Sequence, residues 1–171
     1  QDASEKWIMS GRALEISLVK GAAQNGVLLT RILEKTKILD RLPFDSKHKF
    51  SASISKTDSC VRLALFGAPE IILRFTVLSR EEQEKAVAEI EKRAFAGERV
   101  LGVASRLVSA GHENILRQQN FNNLNFDGLI TFRDPLRPHV SQAINEIAAM
   151  GVKTIIVTGD TLGSVEFWGD D

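Results

Sequence analysis

The sequence predicts an α/β (α+β) fold, and three observations predict it. Residues 49–55 and 61–66 alternate apolar and polar side chains, the pattern of strands with one buried face. A helical pattern with start and stop signals runs from Ser79 to Ala96. Residues 126–157 read strand, helix, strand, and the last strand is almost wholly apolar, as a central parallel strand is. The expected architecture is a twisted antiparallel sheet flanked by helices over residues 1–125, then a partial βαβ piece over residues 126–171.

The elements follow in order. Ala13, Leu14, Ile16, Leu18, Ala22 and Ala23 recur at helical spacing, which predicts a helix over 11–24 with Gly26 as its stop. A second short helix is expected over 27–33, then a strand over 38–42 that Pro43 ends. Lys49 opens the polar face of the next strand, with Phe50, Ala52 and Ile54 on the other face. Lys56 to Ser59 form a hairpin loop before Val61, Leu63 and Leu65. Pro69 stands where a helix begins. Ser79 and Glu82 make a capping box, and the helix is expected to bury Val87, Ile90 and Ala94 before Gly97 closes it. A strand over 99–105 follows, and the asparagine-rich stretch 110–125 reads as loop or linker.

Composition narrows the function. The chain has 171 residues, 43% hydrophobic and 26% charged, enough for one buried core and an attached piece of a second domain. Lysine plus arginine equals aspartate plus glutamate at 22 each, so no basic field exists to hold nucleic acid or an anionic membrane. A single cysteine, Cys60, cannot close an internal disulfide, which fits a reducing compartment. No apolar run approaches the ~20 residues of a membrane span, so direct membrane insertion is not expected. The chain opens on Gln1 without a signal-peptide pattern, and an excised piece of a longer protein is expected. His48, His112 and His139 are scattered, and no metal site is expected from them.

Two places could carry chemistry. Thr158-Gly159-Asp160 follows the last apolar strand, and the carboxyl end of a parallel strand is where ligands bind. Thr158 would bond a phosphoryl oxygen, Gly159 would admit close backbone approach, and Asp160 would order water, a metal or a cation. By itself the tripeptide is equally a common turn. Asp134-Pro135 is, by itself, a rigid turn with Asp134 as a cap. On the antiparallel sheet, Phe44, Lys49 and the bare Gly67-Ala68 edge would make an adenine slot. The plainer alternative is that Phe44 is core and Lys49 a surface lysine.

In order along the chain these pieces resemble the P-type (E1-E2) cation-transporting ATPases, specifically the nucleotide-binding (N) domain with part of the phosphorylation (P) domain. Gly11-Arg12-Ala13-Leu14-Glu15 is similar to the segment whose glutamate contacts the adenine amino group, which implies that role for Glu15. Pro43-Phe44-Asp45-Ser46-Lys47-His48-Lys49 resembles the motif that implies stacking by Phe44 and a pocket position for Lys49. Phe66-Gly67-Ala68-Pro69-Glu70 resembles the Lys-Gly-Ala-Pro-Glu signature, with Phe66 in place of lysine. Gly97-Glu98-Arg99 is similar to the strand whose arginine reaches the phosphate chain. Asp134-Pro135-Leu136-Arg137 and Thr158-Gly159-Asp160 look like hallmarks of the haloacid-dehalogenase-like P domain, and Thr158 would there steady the transferred phosphoryl group.

The resemblance implies ATP as ligand, ATP and ADP exchange, and magnesium in the parent enzyme. It implies the remaining P, actuator and transmembrane domains as partners, on the cytoplasmic side of a membrane. The sequence lacks an Asp-Lys-Thr-Gly-Thr segment, so the phosphorylated aspartate lies elsewhere and no catalytic residue is expected in this chain. Phe66 cannot pair with phosphate, and the stretch 161–171 departs from the family pattern. Two rivals remain: a catalytically silent regulatory or interaction module of the same fold, and a haloacid-dehalogenase-type phosphatase, for which no early Asp-x-Asp pattern is present.

Overall fold

The computed structural model describes residues 13–108, 115–133, 139–153 and 155. Five strands form one antiparallel sheet in chain order, β1(Lys37–Asp45), β2(Phe50–Lys56), β3(Val61–Gly67), β4(Arg99–Val108) and β5(Asn125–Phe132). Helices α1(Ala13–Gln24) and α2(Leu29–Lys35) precede it. The short α3(Pro69–Ile72), a 3-10 turn Leu73–Phe75 and the long α4(Arg80–Phe95) lie between β3 and β4, and α5(Val140–Ala149) follows β5.

The period-two alternation gives the sheet two faces. Phe50, Ala52 and Ile54 of β2, Leu63 and Leu65 of β3 and Ala104 of β4 are buried on one face. Ile72, Ile115, Leu116, Phe121 and Leu124 pack against them. Phe50, Phe75 and Phe121 meet edge to face, with centroids 5.3–5.7 Å apart. Such pairs add about 0.5–1.5 kcal/mol each beyond the area they bury.

Several expectations need correcting. The segment 110–125 is no mere linker, because Ile115, Leu116, Phe121 and Leu124 are core residues. Its backbone is also tied down: Leu124 N–H donates to Phe75 O and Val77 N–H to Leu124 O. Pro43 does not end its strand. β1 is an edge strand, and the register shifts between Leu42 and Asp45, so the missing N–H is tolerated there. β2 starts at Phe50, because Lys49 has a left-handed backbone (φ 60°).

The capping box of α4 forms as expected: Ser79 Oγ accepts from Glu82 N–H, and Ser79 N–H donates to Glu82 Oε2. The burial expected of Val87, Ile90 and Ala94 is not found; α4 has no buried residue and Val87 is 39% exposed. The strand expected to open a βαβ piece instead pairs antiparallel with β4, from Arg99↔Phe132 to Ser105↔Asn125. It is the fifth strand of the sheet because its half-buried alternation suits an edge. Half of the last strand, expected over 152–157, lies outside the described residues; Val152, Lys153 and Ile155 carry no strand.

Candidate functional site

The second face of the sheet is polar and small at its centre. Ser51 and Ser53 of β2 and Ala64 of β3 line the floor of a cleft of about 810 Å³, with Leu101 and Val103 of β4 beside them. Leu14, Glu15 and Leu18 of α1 line it as well. Ser51 Oγ donates to Phe66 O at 3.2 Å, so one floor hydroxyl is already satisfied. Beside the floor, Arg62 Nη1 donates to Ser105 Oγ at 2.9 Å, which satisfies the buried Ser105.

Alternation decides which side chains reach this face. Leu63 and Leu65 point into the core, so Ala64 and Phe66 point into the cleft. Phe44 comes from the irregular end of β1 and keeps 45% of its surface exposed, unusual for so large an apolar ring. Arg99 stands at the start of β4 and also lines the cleft.

Glu15, Phe44, Phe66, Gly67 and Arg99, drawn from four elements and from distant parts of the chain, are therefore brought to one cleft. Lys49 and Ala68 are not among its lining residues. Lys49 is exposed in the β1–β2 turn, and its carbonyl accepts from Ala68 N–H at 2.9 Å. Gly67 is buried; a Cβ there would strike the backbone of Lys49 and Phe50. Its bareness thus serves strand packing first. Asp134, Thr158, Gly159 and Asp160 lie outside the described residues.

The turn beside Phe44 is held by one carboxylate. Asp45 Oδ1 accepts from Lys47 N–H at 2.8 Å, and Oδ2 sits 3.1 Å from His48 Nδ1. The Lys47 N–H, and after it the His48 ring, hold Asp45 below the usual carboxylate range. Arg41 is a lining residue that sequence patterns alone missed. It belongs to no motif, and only the pairing Arg41↔Ser53 reveals which face it occupies.

The family model described as P-type ATPase, cytoplasmic domain N, matches residues 1–139. The chain belongs to the P-type ATPases. Similar proteins include the calcium-transporting ATPase of Bacillus subtilis (strain 168), 26% identical over 91% of this chain and 18% of that protein. The sodium/potassium-transporting ATPase subunit alpha of Drosophila melanogaster is 32% identical over 89% of this chain and 17% of its own length. Subunit alpha-4 of Homo sapiens is 32% identical over 88% and 16%. The chain thus spans less than a fifth of these relatives. The five-stranded antiparallel sheet with its flanking helices agrees with a P-type ATPase N domain. No helix among the described residues is long and apolar enough to cross a membrane.

Proposed function

We propose that the cleft binds ATP for a P-type ATPase that moves a cation across a membrane. One observation carries this: in a chain of that family, two phenyl rings and an arginine from three different strands line one cleft. Phe44 and Phe66 would flank the base, where stacking contributes about 1–3 kcal/mol per base. Glu15 would accept from the adenine amino group, and Arg99 would hold the phosphate chain. Gly67 lines the cleft, and Lys49 and Ala68 would act from the adjoining turn rather than from the cleft wall.

The whole protein would hydrolyse ATP through an aspartyl-phosphate formed on a residue outside this chain. Magnesium in the parent enzyme would spread the charge of that transfer. Glu15 is the one carboxylate among the described residues lining the cleft, and no three metal-binding side chains cluster among the described residues. The ion would therefore be held by the triphosphate and by the following domain. The chain beyond β5 would belong to that haloacid-dehalogenase-like P domain, with Asp134, Thr158, Gly159 and Asp160 near the phosphoryl group. Actuator and transmembrane domains would complete the pump.

The test is an NMR titration of the chain with ATP, ADP and AMP, with and without magnesium. Saturable shifts at Glu15, Phe44, Phe66 and Arg99, at about millimolar affinity or tighter, are expected. Phe66 in the signature lysine position favours one rival, a module that has lost nucleotide binding. No saturable shift at those residues would bring that rival forward.

A further inference from the structure

Phe44 is held in place by its backbone more than by its packing. The ring is 45% exposed and lines the cleft. Leu42 pairs with Ala52 and Asp45 with Phe50, and the register slips between them, so Pro43 and Phe44 fall in the slip. The path of the chain at Asp45 therefore decides where the ring stands over the cleft floor.

Asp45 is the hub of the turn that follows. Its Oδ1 accepts from Lys47 N–H at 2.8 Å, and its Oδ2 lies 3.1 Å from His48 Nδ1. Its carbonyl accepts from Lys49 N–H at 2.7 Å, and the Lys49 carbonyl accepts from Ala68 N–H at 2.9 Å. Lys49 is left-handed there, with φ 60°, a conformation that non-glycine residues seldom adopt unless their surroundings impose it. The His48 ring stands edge to face on Phe50, centroids 6.2 Å apart, and Phe50 meets Phe75 and Phe121 in the core. The residue after Phe44 is thus tied to the core on one side and to the end of β3 on the other. Asp45 itself is not among the residues lining the cleft.

We propose that Asp45 is a positioning residue for the base: by accepting from Lys47 N–H it fixes the turn, and the turn fixes the stacking ring of Phe44. The proposal rests on the nucleotide assignment above and deepens it. The test is NMR titration of the whole 171-residue chain with ADP and with adenosine. The proteins compared are the native chain, Asp45→Ala, Asp45→Asn, Phe44→Ala and the double variant Asp45→Ala/Phe44→Ala. Asp45→Ala is expected to weaken both ligands by the same factor, about two- to tenfold, the span of one net hydrogen bond. Asp45→Asn keeps an oxygen for Lys47 N–H and should recover most of that loss. Adding Asp45→Ala to Phe44→Ala should weaken binding no further, because two residues that act as one unit are not additive. A purely structural Asp45 would lower the unfolding midpoint and leave the affinity of the folded chain in place, which would overturn the proposal. A loss for ADP alone, an undiminished further loss in the Phe44→Ala background, or an Asp45→Asn no better than Asp45→Ala would overturn it as well. Binding of neither ligand by the native chain would overturn the nucleotide assignment, and this proposal with it.

Discussion

Gly67 meets Phe50 across the β2–β3 pair with no room for a single methyl group. A Cβ at this position would overlap Lys49 O and the Cα and Cβ of Phe50. The obstacle is mostly backbone, which cannot swing aside as a side-chain end does. Gly67→Ala is therefore expected to destabilise the fold by about 1–3 kcal/mol, the usual cost of overpacking. Urea unfolding checks it. An unchanged midpoint would show that the hairpin yields more readily than this packing implies.

The two phenyl rings predict separate losses of affinity. Phe44→Ala should weaken nucleotide binding by about 1–3 kcal/mol, the range for one stacked base. Phe66→Lys restores the charge of the family signature. It should weaken adenosine, which loses the stacking ring, more than ATP, which gains a cation for its phosphates, and that difference should shrink with added salt. Isothermal titration at two salt concentrations separates the two effects. Equal losses for ATP and adenosine would argue against a phosphate contact at this position.

Phe121 is 2% exposed and touches both Phe50 and Phe75 edge to face. Phe121→Ala should cost about 3–5 kcal/mol by leaving a cavity in the core. Thermal and urea unfolding would register it. A surface-like change below about 0.5 kcal/mol would mean that the 115–124 segment does not seal the core.

Capping and pH act together at the start of α4. Ser79→Ala removes the acceptor for Glu82 N–H and should cost about 0.5–2 kcal/mol. Hydrogen bonds from the Ser79 side chain and backbone hold Glu82 below its usual carboxylate value. Asp45 is lowered too, first by Lys47 N–H. A lowered folded-state pKa contributes stability above the ordinary carboxylate value, and this is lost as pH falls through the lowered one. Protection of the amides in the first turn of α4, measured relative to their intrinsic exchange at each pH, should therefore fall as the pH drops below the ordinary carboxylate range, and Glu82→Gln should blunt that dependence.

Much of the sheet was legible in the sequence because alternation is a local signal. Phe50, Ala52 and Ile54, and then Leu63 and Leu65, show their buried face without knowledge of what covers it. The Ser79–Glu82 box was legible for the same reason. What failed was nonlocal. Ile115, Leu116, Phe121 and Leu124 sit among asparagines and glutamines, so composition masked four core anchors. Pro43 reads as a terminator unless β1 is known to be an edge. The partner of β5 depends on β4, and an apolar strand does not announce whether its neighbour runs parallel. In the cleft, Glu15, Phe44, Phe66 and Arg99 came from family motifs, whereas Arg41 needed the pairing register.

The order β1-β2-β3-β4-β5 has a kinetic consequence. Strands β1, β2 and β3 follow one another through short turns and can zip hairpin by hairpin, and such local pairings form faster than remote ones. β3 and β4 are also neighbours in the sheet, but α3, the 3-10 turn and α4 separate them in the chain. The β4–β5 connection must in turn seat Phe121 and Leu124 in the core. Docking β4 onto the preformed β1-β2-β3 unit is the event expected to set the folding rate.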